Sequence, residues 1–408
     1  MFYAIPSWLA VNGASATIVG SAAAAAAAPW MAKWAVGAFM DRYTYLPMGR
    51  RRPWLVGAQC AIALAFACFA IISPAPAETT IVIGFGFLIS SLTAIQDVAL
   101  DALVIDITPD EEKGRLNGFM FGGKLFGIAG GTAITGYMVE HYGISAAMIS
   151  MLALFAIPAL AAIAIRERPG EKLLPWSPGQ ASAASRALKQ EAWWPIFRIA
   201  VTTLFRRDTL LVIFLLVAYG FHQTLQEQGS TLFAARELGW GESKFGSLVA
   251  ATNIMSGAIS LLIGGWLVDR LGPRVISLTS AAIGATLLGW IALSGEFFTN
   301  SAVFPVWFIA ASLSLVMFYL SFLVMAMRVS AKEVAATSFA LIVATQPLGM
   351  TTGSSLLGTM EAAGGFAAIY GVSAIALVIS ALMTLGMSPR AAGALGKAHE
   401  VDEVLTID

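Results

Sequence analysis

Charged residues are scarce in this sequence: Asp, Glu, Lys and Arg make up 12% of its 408 residues, about half the share of a soluble globular chain. With 3 histidines and 2 cysteines, a metal-ligand set or a disulfide framework is not expected. Cys60 and Cys68 lie inside one apolar stretch and read as small packing residues. There is no G-x-x-x-x-G-K-[ST] phosphate loop, no H-E-x-x-H and no G-x-S-x-G, and no polar stretch is long enough for a second soluble domain. Enzyme chemistry, ATP hydrolysis by this chain and a cofactor or metal are therefore not expected. Basic and acidic residues balance at 24 each, so no overall field points to nucleic acid. The opening residues lack the basic-then-apolar pattern of a cleaved leader.

What is abundant is apolar: 58% of the residues are hydrophobic, a surplus that has to face lipid. At about 20 apolar residues per crossing, spans are expected near 15–40, 53–73, 79–105, 115–139 and 143–165. A second set follows near 208–234, 244–268, 274–295, 302–328, 334–360 and 365–387. The expectation is an all-α integral membrane protein of about eleven transmembrane helices. Basic residues collect in alternate connections, at Arg42 and Arg50 to Arg52, Lys113 and Arg115, Arg166 to Arg207, Arg270 and Arg274, Arg328 and Lys332, and Arg390 and Lys397. The positive-inside rule then places the N-terminus outside and the C-terminus in the cytoplasm.

The connection 166–207 carries eight Lys or Arg against three Glu, opens Pro-rich and ends in an amphipathic piece with Trp193, Trp194 and Phe197. It suits the membrane interface, as a tether or as a site for another protein. It divides the chain into an N-terminal half, 1–165, with five spans, and a six-span half, 208–387, followed by a tail, 388–408. An internal repeat supports this division. Gly37-Ala-Phe-Met-Asp41-Arg42 and Gly265-Trp-Leu-Val-Asp269-Arg270 share the spacing G-x-x-x-D-R at the same end of a span. A glycine lets helices approach, while an aspartate at a helix C-terminus opposes the macrodipole unless a cation or a neighbouring helix N-terminus compensates it. Such a pair can latch one conformational state, or simply fix the loop. Parallel repeats of this kind mark a major facilitator build.

Charges inside spans cost at least about 2.5 kcal/mol each unless paired or wetted. Lys33, Asp97, Asp101 and Lys124 are such charges, and helix rise puts Lys33, Asp97 and Lys124 at a similar depth, roughly 12–14 Å from their helix ends. They read as a buried cluster, either a proton-coupling gate or a structural ion network. In the second half His222, Gln223, Gln226 and Glu227 interrupt an apolar span, His222 and Gln226 on one face, Gln223 and Glu227 on the next. With Asn253 and Gln346 they are candidate substrate-cavity groups. Glu227 also reads as a solvated helix end, and Gln346-Pro347 marks a helix break.

The stretches Lys33-Trp-Ala-Val-Gly-Ala-Phe-Met-Asp41-Arg42-Tyr, Gly49-Arg-Arg-Arg52-Pro-Trp54, Gln96-Asp97-Val-Ala-Leu-Asp101-Ala and Pro109-Asp-Glu-Glu-Lys-Gly114-Arg115, with Lys124, extend through Met327-Arg328 to Ala336-Thr337-Ser-Phe-Ala340. Together they resemble the muropeptide permease (AmpG-like) and acetyl-CoA transporter group of the major facilitator superfamily. The resemblance implies proton-driven import of an amphiphilic or anionic solute, such as a muropeptide, by alternating access at the bacterial inner membrane. A siderophore or an acetyl-CoA-like solute is the alternative, as is a transport-inactive membrane sensor or truncated homologue. The expected partners are the solute, protons and the lipid bilayer, with a monomeric chain. The resemblance also implies twelve helices, so the first would be missing here, upstream of Pro6.

Overall fold

The computed structural model describes residues 14–190, 192–300 and 302–388, together with Ile5, Trp8, Leu9, Asn12 and Ala391. Among them every regular element is helical. Helix α1 (Ala16–Met31) starts where the Ser15 hydroxyl caps Ile18 N–H, and it yields to α2 (Lys33–Arg42) at Ala32, three residues beyond Pro29. α3 (Arg52–Ile72), α4 (Thr79–Ile107) and α5 (Lys113–Ala164) follow, then the short α6 (Ala183–Ala187) and α7 (Trp193–Leu204) of the long connection. After it come α8 (Arg207–Arg236), α9 (Glu242–Ile259), a π-helical turn (Ser260–Gly264), α10 (Gly265–Leu271), α11 (Pro273–Leu293) and α12 (Val303–Val329). The chain closes with α13 (Ala335–Val343) and α14 (Gln346–Leu385).

Eight helices among the described residues are long and apolar enough to cross a bilayer. Two of them, starting at Lys113 and at Lys332, run 52 and 54 residues, more than twice the length one crossing needs. Each breaks at glycine: Gly143 has φ 82° inside α5, and Gly365 has φ 59° inside α14, backbone that only glycine adopts without strain. These breaks fall between the sequence segments 115–139 and 143–165, and between 334–360 and 365–387. α1, with 16 residues, reaches crossing length only together with α2. A second break, at Ala344 and Thr345, precedes Gln346 and Pro347, where the missing proline donor favours a new helix start.

Contacts group the chain into two compact units that are discontinuous in sequence. The first comprises residues 1–108, 127–204 and 330–344, the second 109–126, 205–329 and 345–408. Each therefore holds a short piece, 330–344 or 109–126, from the opposite side of the long connection, and the aspartate contacts described below are the physical reason. In the first unit Ile62, Phe66 and Phe69 of α3 pack with Val82 and Ile89 of α4 and Met148 of α5. α7 buries Ile196, Ala200 and Thr203 and exposes Trp194, Phe197 and Val201. Its Trp193 ring lies edge-on to Phe39 and Tyr43, with centroids 5.2 and 5.8 Å away, so the amphipathic helix is fastened to the end of α2. In the second unit α8 and α14 meet almost backbone to backbone: a Cβ at Gly349 would lie 1.8 Å from Val217 O, and one at Gly220 2.3 Å from Gln346 O. Of the expected tail, 388–408, all but Ser388 and Ala391 lies outside the described residues.

Candidate functional site

The two G-x-x-x-D-R copies build the same local structure, each inside its own unit. In the first, Asp41 near the end of α2 accepts the Thr337 N–H at 2.8 Å and the Thr337 hydroxyl at 2.6 Å, both on Oδ2. Thr337 is the third residue of α13, in the turn whose N–H groups have no partner within their own helix. Asp41 thus serves as an N-cap supplied from another helix, and its charge sits at the positive end of the α13 dipole. Gly37, one turn earlier, makes the approach possible, because a Cβ there would lie 2.6 Å from Ala336 O.

In the second copy Asp269 on α10 accepts the Gly114 N–H at 2.6 Å and the Arg115 N–H at 2.7 Å, the second and third residues of α5. Gly265 gives the same clearance, its Cβ position lying 2.4 Å from Gly114 O. A glycine stripe continues the contact: Cβ atoms at Gly118 and Gly122 would stand 2.5 Å from Ser260 O and 2.7 Å from Gly257 O. The π-helical turn Ser260–Gly264 lies at this contact, where the backbones are closest. Arg42 and Arg270 point elsewhere, over the rings of Tyr43 and Trp266 at 5.3 and 5.0 Å.

Around Asp41 the first unit adds a buried charge network. Arg51 Nη2 lies 2.6 Å from Asp41 Oδ1, and its Nε donates to Asp106 Oδ2 at 2.9 Å. Arg50 donates to Asp106 Oδ2 at 3.1 Å and to the Glu333 carbonyl at 2.9 Å. Glu167 caps α3: its carboxylate accepts the N–H groups of Arg50, Arg51 and Arg52, each at 2.9 Å. Gly49 leads into this turn with φ 103°, and a Cβ there would lie 2.4 Å from Glu167 Oε2. Arg52 in turn donates to the Ala162 and Ile163 carbonyls at the end of α5, at 3.1 and 2.7 Å, a cation where the helix dipole is negative. Burial pushes the Arg51 guanidinium down, but Asp41 and Asp106 outweigh it and hold it above the ordinary arginine range. Arg50 is lowered by burial and by Arg51, with Asp106, Asp41 and Glu167 acting against that.

Of the four charges expected to cluster within the spans, the structure brings Lys33 and Asp97 into an ion pair. Lys33 also lies 4.7 Å from the Trp30 ring, and Asp101, one turn further along α4, adds attraction. Lys124 is exposed and belongs to the other unit.

In the second unit the two faces read from the α8 sequence have different surroundings. His222 is buried, with Nδ1 2.5 Å from Ser373 Oγ, and Gln226 is buried, donating to Ser312 at 3.1 Å. Gln223 donates to Glu227 at 2.9 Å and accepts from Gln346 at 3.4 Å, so these three form one polar string along α8 and the start of α14. Asn253 is exposed on α9. The sequence reading passed over Glu167 and Asp106 as network partners and over the cap acceptor's mate Thr337. It also left unused the Gly114-x-x-x-Gly118-x-x-x-Gly122 spacing, a close-packing pattern visible in the sequence.

Comparison with known proteins places this geometry. The family model of the Major Facilitator Superfamily matches residues 1–234. The anhydromuropeptide permease of Escherichia coli (strain K12) is 23% identical over 388 residues, covering 93% of this chain and 74% of the permease. Among solved structures, a bacterial homologue of the iron transporter ferroportin, in an outward-facing state, superposes with a TM-score of 0.68 at 13% identity, over 94% of this chain and 96% of that one. The fucose:proton symporter of Escherichia coli gives 0.64 at 15% identity, over 95% and 96%. At these identities the structures establish the fold alone.

Proposed function

The chain belongs to the Major Facilitator Superfamily and is a multi-pass membrane transporter rather than an enzyme, and from that premise we propose that it imports an amphiphilic or anionic solute of the muropeptide class across the bacterial inner membrane, driven by protons. The substrate class follows the anhydromuropeptide permease to which nearly the whole chain is similar. Alternating access is the mechanism, carried by one observation: Asp41 and Asp269 each cap a helix from the opposite side of the long connection. Bonds of that kind, made to N–H groups that water can also satisfy, can form in one state and be released in another. Positive-inside loops put both latches and the C-terminus on the cytoplasmic side, so the latched state is closed to the cytoplasm. The working halves are 1–165 and 208–387, joined by 166–207, and the chain acts as a monomer.

Lys33 and Asp97 supply the proton step. An ion pair within a span is held only while both partners are charged, so protonation of Asp97 releases Lys33, with Asp101 one turn away to retain it. Gln223, Glu227 and Gln346 form the substrate-facing string, whereas His222 and Gln226 are engaged with Ser373 and Ser312 and position α8. Lys124 and Asn253, both exposed, serve as outlying polar groups of the path.

The test is uptake of labelled anhydromuropeptide into proteoliposomes with and without an imposed proton gradient, for the wild type and Asp97→Asn. Gradient-driven uptake by the wild type and its loss in a variant that still folds is the expected result. Equal gradient-driven accumulation by both would remove Asp97 from coupling, and no uptake under any gradient would remove the substrate.

A further inference from the structure

Glu227 is an exposed carboxylate within the span of α8. The helix runs on for nine residues to Arg236, about 14 Å at 1.5 Å per residue, so Glu227 is not a solvated helix end. A carboxylate in a span does not face acyl chains; such groups face the protein interior or a water-filled path. Among the described residues no hydrogen bond or ion pair joins Glu227 to a cation. Arg236, the nearest basic residue on its helix, is taken by Glu361.

What Glu227 touches is neutral. Its Oε1 accepts from Gln223 Nε2 at 2.9 Å, and Gln223 Oε1 accepts from Gln346 Nε2 at 3.4 Å. The string therefore has a direction, each amide donating toward the carboxylate. Two acceptors are left without a donor, Glu227 Oε2 at one end and Gln346 Oε1 at the other. Gln228, the next residue, donates instead to Ser354 at 3.0 Å and so does not help neutralise the charge. All of these residues lie in the second unit, where the close approach of α14 to Gly220 fixes the backbone of Gln346.

A carboxylate held only by amides keeps its charge uncompensated, and outside bulk water its attraction for a cation is strong. An acidic group would be repelled, and a hydroxyl would satisfy the bond but leave the charge. A bare metal ion takes about six oxygen ligands, more than the string offers. An ammonium group brings the missing charge together with three N–H donors. We propose that Glu227 is the specificity-determining residue of this transporter, its free oxygen taking a primary amino group of the solute while Gln346 Oε1 accepts a neighbouring N–H or O–H. Gln223 is a positioning residue that holds the carboxylate from the other side. The proposal rests on the transport reading above and narrows its solute to one that carries an amino group.

The experiment measures gradient-driven uptake by the full chain in proteoliposomes as a function of solute concentration. Its two probes are a labelled anhydromuropeptide with a free amino group on its peptide and the same molecule acetylated at that nitrogen, which removes the charge. The wild type should half-saturate with the free amine at a concentration at least about tenfold lower than with the acetylated form, the factor that separates a charge-assisted from a neutral hydrogen bond. Glu227→Gln should lose that preference with its maximal rate kept, as removal of a binding contact requires, and Glu227→Asp should retain it. Uptake of both probes at the same concentrations by the wild type, or an undiminished preference in Glu227→Gln, would overturn this proposal alone. Glu227→Gln that keeps the preference but no longer responds to the gradient would assign the carboxylate to proton handling and overturn it as well. No uptake of either probe by the wild type would remove the muropeptide reading, and this proposal with it.

Discussion

Replacing Asp269 by alanine removes the carboxylate that holds the first turn of α5. Two charge-assisted bonds are lost, at 2.6 and 2.7 Å, each worth about 1.5–3 kcal/mol when made to a charged group. Asp269 is half-buried, so water replaces part of what is lost, and cap removals measured elsewhere cost about 0.5–2 kcal/mol. About 2 kcal/mol is therefore the expected net effect, a factor of about 30 in the opening of that turn. Hydrogen exchange in the intact protein reads this directly. The amides of Gly114 and Arg115 should exchange about 30-fold faster in Asp269→Ala, with α11 unchanged as a control for folding. Asp269→Asn, which keeps one acceptor oxygen, should fall between. Unchanged exchange at Gly114 and Arg115 would show that the carboxylate does not hold the turn, and the latch argument would fail with it.

Thr337→Val deletes the 2.6 Å hydroxyl bond to Asp41 while keeping the backbone N–H bond. It should cost about 1 kcal/mol in the wild type and nothing in an Asp41→Ala background, a coupling that a double-mutant cycle on thermal unfolding would detect and strict additivity would contradict. Glu167→Gln leaves three N–H groups and Arg168 facing a neutral amide. Breaking a buried charge pair costs about 3–5 kcal/mol, so a large fall in melting temperature is expected, and a fall of under a degree or two would refute the capping role.

The spans were legible because lipid imposes length and apolarity on every crossing, and the helix breaks at Gly143 and at Gly364 to Gly365 coincide with boundaries the polar residues had marked. The repeat was legible for a similar reason: close backbone approach demands glycine, and the aspartate must follow at one helical turn. Pairing was harder. Glu167 caps N–H groups more than 100 residues away, so no local spacing announces it. Depth arithmetic put Lys33, Asp97 and Lys124 level, but depth does not fix the direction in which a helix turns its side chain; Lys33 and Asp97 form an ion pair, while Lys124 belongs to the other compact unit. On α8 the period separated two faces correctly as faces. What each one met, Ser373 and Ser312 for one and Gln346 for the other, depends on the close approach at Gly220 and Gly349, which is a tertiary fact.

The two copies of the motif share their spacing but not their surroundings, and that asymmetry bears on how the proposed transport cycle would open. Asp41 is fully buried and holds a backbone N–H, a hydroxyl and the Arg51 guanidinium, while Arg50 and Arg51 are tied in turn to Asp106. Releasing it exposes several charges that were matched out of water, and each has to be resolvated or re-paired before the helices separate. Asp269 holds two backbone N–H groups and is half-buried, so water can take its place bond for bond. On the proposed reading the second latch is therefore the one that yields first, and α5 leaves α10 before α13 leaves α2. Under a mild opening stress, such as rising temperature, the exchange protection of Gly114 and Arg115 should be lost before that of Thr337. The reverse order would mean that the glycine stripe from Gly114 to Gly122, rather than the aspartate, carries most of the second contact.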